Sequence, residues 1–275
     1  VLIIFALASG GTASVAALFI AGYVPGILVG LALMFMVFIY AKKKKLPRAK
    51  RAGFKKLFID FKNAFLSLTL LIIVVGGIVA GIFTATEAAA IAVVYAALLG
   101  FINKELKFSD FRPVLLKSAK TTAIVMFLIA TSMVMSWLFS FEGIPQMMTD
   151  TILDNVSNPL VIFLIINIVL LIVGTFMDMT PAVLIFTPIF LPVAMTLGMH
   201  PVQFGMVIVL NLCIGICTPP VGTLLFVGSG VAEVPVTKVI RPLLSLLGAM
   251  TVVLFLITYF PEISLWLPRV FGLID

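Results

Sequence analysis

The stretch Gly174-Thr-Phe-Met-Asp-Met-Thr-Pro-Ala182 interrupts a long apolar run with a polar, kinked segment. The apolar residues before it, 161–173, and after it, 183–194, are each about a dozen residues long. A helix of that length rises about 18 Å, which falls short of a hydrocarbon core of about 30 Å. Irregular backbone at membrane depth is tolerated only inside protein or beside a water-filled cavity. The pattern predicts a re-entrant hairpin with Asp178 at its tip, which we interpret as half of a transport site.

The composition is that of a membrane protein. Of the 275 residues, 63% are hydrophobic and 11% are charged, against about 45–50% and about 25% in a soluble domain. Apolar segments of membrane length recur along the whole chain, so we expect an all-α polytopic membrane protein that crosses a lipid bilayer several times. The chain begins at Val1 within an apolar run and without a Met, and we interpret it as part of a longer protein.

The net charge of +7 is concentrated in one region, since ten of the 18 Lys and Arg residues lie between Lys42 and Lys62. Such a juxtamembrane polybasic run is placed in the cytoplasm by the positive-inside rule, and its position argues against nucleic acid as a partner. The adjoining segment 54–66 has apolar residues at helical spacing. It predicts a basic amphipathic helix that lies at the membrane interface or packs on the protein.

Loop charges predict the topology. The cytoplasmic loops should be the basic ones, which are 42–56, 103–120 and 233–242, and the outer ones should be the acidic loop 142–159 and the tail with Glu262. Every loop falls on its expected side with two crossings in 68–102, one in 114–141, the re-entrant hairpin, a broken helix over 204–232 and a last span over 243–260.

The start and the end of the chain show an internal similarity. Ser9-Gly10, Pro25 and an apolar run to Tyr40 are echoed by Ser229-Gly230, Pro242 and an apolar run to Tyr259. In the predicted topology the first helix runs inward and the second outward, which is typical of the inverted repeats of secondary transporters. We therefore divide the chain into four parts: 1–23, the end of a first-repeat transport domain; 24–141, scaffold helices with the polybasic and amphipathic segment; 142–232, a second-repeat transport domain; and 233–275, a C-terminal scaffold helix.

Two carboxylates, Glu87 and Asp178, stand in apolar surroundings. An unpaired carboxylate at bilayer depth costs at least about 2.5–3.5 kcal/mol, so each needs a cation, hydrogen bonds or water. Thr175 and Thr180 place hydroxyls beside Asp178. Helix capping is the alternative role, with Asp178 or Thr180 capping the next half-helix and Glu87 in the first turn of the helix that opens at Thr86.

A second break is predicted at Gly215-Ile-Cys-Thr-Pro-Pro-Val-Gly222. Pro219 and Pro220 have no N–H, so carbonyl groups near the end of the preceding half-helix are left without their helical partners. Those carbonyls and the Thr218 hydroxyl are hard oxygen ligands of the kind that unwound transporter helices offer to Na⁺. The alternative is a simple proline kink in a spanning helix.

The remaining reactive residues favour no enzyme. Cys213 and Cys217 are four residues apart, and the single histidine, His200, lies in a predicted loop. Without further ligands nearby, the two cysteines are interpreted as packing residues. The sequence contains no Gly-x-Ser-x-Gly, His-Glu-x-x-His or Gly-x-x-x-x-Gly-Lys motif, so neither a catalytic centre nor an ATP site of its own is expected. Active transport would then draw on an ion gradient or on a separate subunit.

Four segments resemble signatures of the large membrane (M) subunit of tripartite ATP-independent periplasmic (TRAP) transporters. They are Gly81-Ile-Phe-Thr-Ala-Thr-Glu-Ala-Ala-Ala-Ile-Ala-Val-Val-Tyr-Ala96, Pro188-Ile-Phe-Leu-Pro192, Asn211-Leu-Cys-Ile-Gly-Ile-Cys-Thr-Pro-Pro-Val-Gly-Thr-Leu-Leu-Phe226 and Tyr259-Phe-Pro-Glu-Ile-Ser-Leu-Trp-Leu-Pro268. The resemblance covers essentially the whole chain, which would be the C-terminal roughly two-thirds of the subunit. Where the family often has Thr-Pro-Thr-Glu, this chain has Thr84-Ala-Thr-Glu87, a change at a helix entry.

The resemblance implies an inverted-repeat, elevator-type importer in the bacterial inner membrane that couples an organic anion to Na⁺. The anion would be of the C4-dicarboxylate or sialic acid type, delivered by a periplasmic substrate-binding protein, and a small membrane (Q) subunit would brace the scaffold. A further Na⁺ site would precede Val1. The alternatives are a cation-conducting channel subunit lined by Asp178 and a non-transporting membrane scaffold.

The resemblance also assigns site residues. The Na⁺ ligands would be Gly174, Gly215, Thr218 and Val221, and the residues near ion or substrate would be Asp178, Thr180 and Glu87.

Overall fold

A computed structural model of the chain describes residues 1–44, 53–143, 147, 158–219 and 222–274. Within those residues the chain forms α-helices, one short 3-10 helix at Phe108–Asp110 and no β-strand. The α-helices are α1 (Leu2–Ala8), α2 (Val15–Ala21), α3 (Tyr23–Lys44), α4 (Phe54–Val79), α5 (Ala85–Ile102), α6 (Phe111–Phe141), α7 (Pro159–Phe176), α8 (Met179–Thr196), α9 (Pro201–Gly215), α10 (Thr223–Ala232), α11 (Val236–Tyr259) and α12 (Glu262–Val270). The all-α prediction is confirmed.

Two compact units make up the chain. The first contains residues 1–44 and 125–275, and the second contains residues 45–124. The four-part division predicted from the sequence concerns motion between domains, which this partition by contacts does not test, so it stays a prediction.

Helix α9 is the centre of the first unit. Eleven of its 15 residues are buried, and α1, α2, α7, α8, α11 and α12 all pack on it, α7 most extensively. Gly205 allows the closest approach of α1 and α2, because a Cβ there would lie 2.7 Å from both Phe5 Cε1 and Leu18 Cδ2. Small residues at helix contacts are the usual means of close packing in membranes, where burial from water gives little driving force.

The first unit also pairs the two helices that the internal similarity relates. Helix α3, which begins near Pro25, packs against α11, which contains Pro242. A contact between two helices does not test how they are related by symmetry, so the inverted repeat stays a prediction.

Several helices are long and apolar enough to cross a membrane. By length and composition these are the segments Val15–Lys44, Phe108–Met135, Pro159–Phe176, Met179–Thr196 and Val236–Tyr259. The chain is therefore a multi-pass membrane protein, as the composition predicts.

The hairpin differs from the prediction. Helices α7 and α8 have 18 residues each, and only Met177 and Asp178 separate them. The predicted arms were too short and the predicted nine-residue tip was too long. The physical reason is that Pro181 stands in the first turn of α8, where its missing N–H costs nothing. Each arm is about 27 Å long, so arm length no longer favours half-helices, and the re-entrant path stays a prediction that needs other support.

In the second unit one helix differs from the prediction, and one predicted helix break is present. Residues 54–66 and the predicted span from Leu68 form the single helix α4. No Gly or Pro lies between them, and Ser67 is an acceptable helix residue. The predicted division before Thr86 is confirmed: α4 ends at Val79, and Gly81 adopts a φ of +69° in the turn to α5.

The C-terminal region is more helical than predicted. Helix α11 begins at Val236 and includes Pro242, so the basic loop before it is short. Helix α12 was not predicted, and it carries an ion pair in which Arg269 Nη1 lies 2.6 Å from Glu262 Oε1. The signal was a proline at the helix start with Glu262 in the first turn and Arg269 in the last.

Hydrogen bonds place three helix ends at one end of the first unit. The Tyr259 hydroxyl, at the end of α11, donates to the Leu160 carbonyl at the start of α7, 2.9 Å away. Gln203 Nε2, near the start of α9, donates to the Ile257 and Thr258 carbonyls at 3.0 Å each. The charge pattern puts the same three ends on the outer side, so contacts and charges agree.

Candidate functional site

The two predicted breaks meet in the structure. Gly174, in the last turn of α7, and Gly215, the last residue of α9, lie against each other. A Cβ on Gly215 would be 2.5 Å from Gly174 Cα, and a Cβ on Gly174 would be 3.1 Å from Gly215 Cα. Real Cβ atoms do not approach backbone as closely as 2.5 Å, so position 215 requires glycine, and a Cβ at position 174 would have to displace its neighbours by a few tenths of an ångström. Backbone groups of the hairpin and of the broken helix are therefore in direct contact.

Thr218 lies in the break between α9 and α10, three residues after Gly215. Its hydroxyl donates to the Ile214 carbonyl at 2.7 Å, and its N–H donates to the Gly215 carbonyl at 2.8 Å. Because the hydroxyl proton is directed to Ile214, the lone pairs of Thr218 Oγ1 can face a cation or a water. The fourth predicted ligand, Val221, lies outside the described residues.

Gly222, just before α10, lies close to backbone carbonyl oxygens that follow α9. A Cβ on Gly222 would be 2.8 Å from the Thr218 carbonyl oxygen and 3.1 Å from the Ile216 carbonyl oxygen. The Ile216 carbonyl accepts the Leu224 N–H at 3.2 Å across the break. The chain thus folds back tightly at the break, which concentrates carbonyl oxygens there. Backbone carbonyls and a hydroxyl are ligands that suit a hard, weakly held cation.

Asp178 caps α8. Its Oδ1 accepts the Met179 N–H at 2.9 Å, and the side chain is exposed in the first unit. Thr180, half-buried, stands in the first turn of the same helix. The capping alternative for Asp178 is therefore present, but one N–H leaves most of the carboxylate acceptor capacity free. Asp178 follows Gly174 by four residues.

Glu87 also has a capping role. Its Oε2 accepts the N–H and the hydroxyl of Thr84 at 2.8 Å each, while Thr84 Oγ1 accepts the Glu87 N–H at 3.3 Å. This reciprocal arrangement is a capping box at the start of α5. Because Glu87 belongs to the second unit, its predicted place near the substrate stays a prediction.

Sequence reasoning missed a buried amide network between α7, α9 and α11. Asn211 Nδ2 donates to Asn167 Oδ1 at 2.6 Å, and Asn167 Nδ2 donates to Thr258 Oγ1 at 3.2 Å. Asn167 and Thr258 are at most 3% exposed, and Asn211 is fully buried. The available signal was the spacing of polar residues on α9, where Gln203 and Asn211 are eight residues apart and Gly215 follows four residues later.

A pocket of about 190 Å³ lies at the other end of these helices, and its lining includes Leu160, Phe163, Met199, Gln203 and Tyr259. It is separated from Gly174 by about 16 Å along α7, counted from Phe163. Among the described residues, no group of three or more His, Cys, Asp and Glu side chains could hold a metal ion.

Comparison with known proteins assigns the chain. Residues 1–263 match the family model described as the tripartite ATP-independent periplasmic transporter, DctM component. The chain belongs to the DctM family of TRAP transporters. The family prediction from the four signature segments is thereby confirmed, and the DctM relatives are named as permease components, as the prediction of a non-enzyme requires.

Individual relatives extend this picture. The DctM-family chain is 50% identical to the protein named "Uncharacterized protein YgiK" of Salmonella typhimurium, over 99% of the chain and 62% of the relative. It is 41% identical to a C4-dicarboxylate TRAP transporter large permease protein of Pseudomonas aeruginosa, over 99% of the chain and 64% of the relative. It is 40% identical to a sialic acid TRAP transporter large permease protein of Vibrio cholerae, over 94% of the chain and 61% of the relative. The chain thus spans less than two thirds of the length of these relatives.

Proposed function

We propose that this chain forms the greater part of the large permease of a sodium-coupled importer in the bacterial inner membrane. The substrate is an organic anion of the C4-dicarboxylate or sialic acid type, a substrate-binding protein delivers it, and a small membrane subunit braces the permease. The relatives named for C4-dicarboxylates and for sialic acid support the substrate class. The polybasic segment after α3 faces the cytoplasm in this proposal.

One observation carries the sodium proposal: the backbone contact of Gly174 with Gly215, which joins the hairpin to the broken helix. A cation bound there would be held by the second lone pairs of carbonyl oxygens at the helix ends and by Thr218 Oγ1. In this proposal the Asp178 carboxylate, four residues after Gly174, adds negative charge near the site. It raises the affinity for a cation without being a direct ligand.

The depth of the contact is compatible with a re-entrant hairpin. Gly174 and Gly215 are 15 and 14 residues from the starts of α7 and α9, or about 21–22 Å along each helix. Both starts lie at the same end of the unit, beside the end of α11. In a hydrocarbon core of about 30 Å the contact would lie inside the membrane, and α10 would then complete the crossing. In this proposal, elevator motion of the predicted transport domain, 1–23 and 142–232, would carry this site between the two sides.

Uptake by proteoliposomes tests the proposal. The full-length permease, its small subunit and its binding protein are reconstituted, and uptake of a labelled C4-dicarboxylate or of sialic acid is measured with and without a Na⁺ gradient. We expect uptake to require both the gradient and the binding protein. Current that flows without the binding protein would favour a channel, and no uptake of either substrate under any gradient would favour a scaffold.

Variants at the site sharpen this experiment. Thr218→Ala should raise the Na⁺ concentration for half-maximal uptake, whereas Thr218→Ser keeps the hydroxyl and should resemble the wild type. Asp178→Asn should also raise it, although the asparagine side chain still caps α8. If Thr218→Ala and Asp178→Asn both leave the Na⁺ dependence unchanged, the assignment of the site is wrong.

A further inference from the structure

The first half of α4 carries an aromatic stripe, formed by Phe58, Phe61 and Phe65, that the described residues leave exposed. The three side chains are 69%, 55% and 50% exposed. Their spacing of three and four residues places them on one face of the helix, and the Phe61 and Phe65 rings lie 6.1 Å apart. The sequence leaves open whether this segment lies at the membrane interface or packs on the protein. The described residues do not cover the stripe, which favours the membrane interface.

The same half of α4 lies in the most basic part of the chain. Residues 42–62 contain ten Lys and Arg residues and a single carboxylate, Asp60. Lys56 is exposed and forms no ion pair among the described residues. Lys55 and Lys62 belong to the same helix. The segment therefore has a large positive charge for which its own sequence supplies one counter-charge.

The contact between α4 and α5 relates this segment to the edge of the membrane. The two helices pack together, and the short turn between them makes them antiparallel. The Tyr95 hydroxyl of α5 donates to the Leu66 carbonyl of α4 at 2.8 Å. From this contact α5 continues for seven residues to Ile102, and α4 continues for twelve residues to Phe54. The start of α4 therefore lies at or beyond the end of α5, where the charged loop predicted to be cytoplasmic begins.

The headgroup layer of a membrane suits this surface better than the hydrocarbon core or water does. A lysine in the core is costly, and in water the aromatic stripe would be an uncovered apolar patch. Aromatic rings favour the headgroup level, and lysine side chains can reach lipid phosphates from there. Basic segments next to membrane spans are attracted to anionic lipids, and each Lys or Arg adds to the attraction. A headgroup with net negative charge, such as that of phosphatidylglycerol, therefore complements the segment.

We propose that residues 54–66 of α4 bind anionic phospholipid headgroups, with the aromatic stripe inserted beside them at the level of the upper acyl chains. The positive charge of Lys55, Lys56 and Lys62 attracts the lipid phosphates. Binding of these lipids holds the second unit at the cytoplasmic surface of the membrane. This inference is independent of the proposed sodium site.

A tryptophan in the aromatic stripe tests the proposal. The full-length permease and its small subunit are reconstituted in phosphatidylcholine vesicles that contain a fixed fraction of brominated phosphatidylglycerol or, in a parallel sample, of brominated phosphatidylcholine. Phe61→Trp supplies the reporter, and subtracting the fluorescence of the parent protein removes the other tryptophans. Bromine quenches tryptophan only at short range, so the two samples give the relative affinity of the two lipids at position 61. We expect about a fivefold preference for phosphatidylglycerol, as for one lysine close to an anionic surface, and a smaller preference at high salt.

A charge variant identifies the source of this preference. Lys55→Gln, Lys56→Gln and Lys62→Gln are combined in the Phe61→Trp background, which removes three positive charges from α4. The preference for phosphatidylglycerol should fall to about one, while quenching by brominated phosphatidylcholine persists because the stripe still lies in the membrane.

The matched control removes charge from the loop after α5. Lys104→Gln and Lys107→Gln are combined in the same background. Both lysines are exposed and belong to the same unit, but their loop also contains Glu105 and Asp110, so it has no excess of positive charge. The control should keep the preference of the parent.

Three results would overturn the proposal. Equal quenching by the two brominated lipids would mean that the surface does not select negative charge. If neither lipid quenches Phe61→Trp or a second reporter, Phe58→Trp, protein covers the stripe. A preference that survives the triple lysine variant, or that the control loses equally, would have its source outside α4.

Discussion

At the scale of single residues, the contact of Gly174 with Gly215 is the most sensitive point of the first unit. Both clashing partners are backbone atoms, which cannot rotate away as a side-chain end can. The Cβ of an alanine at position 215 would be 2.5 Å from Gly174 Cα, and the Cβ of an alanine at position 174 would be 3.1 Å from Gly215 Cα. Replacing Gly215 by alanine should therefore be more disruptive than replacing Gly174 by alanine.

We predict that Gly215→Ala lowers the stability of the permease by about 1–3 kcal/mol, as overpacking does, and that Gly174→Ala lowers it less. Thermal unfolding in detergent gives the comparison. Gly248→Ala in α11 is the control, because a Cβ there meets nothing within 4 Å and replacing a helical glycine is favourable by about 0.5–1 kcal/mol. Equal unfolding temperatures for Gly215→Ala and Gly248→Ala would contradict the close contact.

Thr187 and Thr258 are two buried threonines whose hydroxyl groups can be compared by the same substitution to valine. Thr187 is fully buried in α8, and its Oγ1 has no partner among the described residues. The Thr258 hydroxyl donates to the Leu254 carbonyl at 2.8 Å and accepts from Asn167. We predict that Thr187→Val raises the unfolding free energy by roughly 1 kcal/mol and that Thr258→Val lowers it by a similar amount.

Both valine variants have the shape of threonine, so packing is held constant and the comparison isolates the hydroxyl. The measurement is again the unfolding temperature in detergent. A fall for Thr187→Val as large as that for Thr258→Val would mean that the Thr187 hydroxyl has a donor or acceptor that the described contacts do not reveal.

At the scale of secondary-structure elements, the start of α5 distinguishes a capping from a substrate-binding role of Glu87. The box with Thr84 is maintained by glutamine as well as glutamate. We predict that Glu87→Gln leaves both the unfolding temperature and the uptake rate near those of the wild type. Glu87→Ala should lower the unfolding temperature slightly, because the Thr84 N–H loses its acceptor.

The uptake assay decides between the two roles. If Glu87 contacts a cation or substrate through its charge, Glu87→Gln must reduce uptake although α5 remains capped. Thr84→Ala is the companion variant, since it weakens the same box without removing the charge. Reduced uptake in Glu87→Gln together with normal uptake in Thr84→Ala would establish a direct role.

The helix breaks could be predicted from the sequence where Gly, Pro, Ser or Thr residues cluster. The turns after α1, after α4 and after α9 all follow such clusters. The hairpin tip was predicted too wide because a polar residue was taken as non-helical, whereas Thr175 and Thr180 stay in the helices on either side of the two-residue joint. In Thr175 the hydroxyl donates to the Ile172 carbonyl at 2.7 Å, so the helix itself satisfies it.

The amide network could not be predicted in the same way. Asn167 and Asn211 are 44 residues apart, and Asn167 and Thr258 are 91 residues apart. The spacing of Gln203, Asn211 and Gly215 marks one face of α9, but no local pattern pairs Asn211 with Asn167 or Thr258. Only the packing of α7 and α11 on α9 brings them together, and that packing depends on glycines such as Gly174 and Gly215 whose partners the sequence does not identify.

At the scale of the whole molecule, loop charges and hydrogen bonds each bear on which helix ends lie on the same side of the membrane. Charges place the starts of α7 and α9 and the end of α11 outside. Hydrogen bonds from Tyr259 and Gln203 hold these three ends together in the first unit. A topology that moved one of the three ends to the other side would have to break those hydrogen bonds, so the three ends must be accessible from one side together.

Cysteine labelling in cells tests this topology. In a permease whose native cysteines are replaced, Leu160→Cys and Phe271→Cys should react with a membrane-impermeant maleimide added to the periplasm, since both side chains are exposed. Lys238→Cys, in the first turn of α11, should react only after the inner membrane is permeabilised. Labelling of all three without permeabilisation would contradict the predicted crossing by α11. Labelling of Leu160→Cys and Phe271→Cys from opposite sides would contradict the contacts, because α12 follows α11 directly and the end of α11 is hydrogen-bonded to α7.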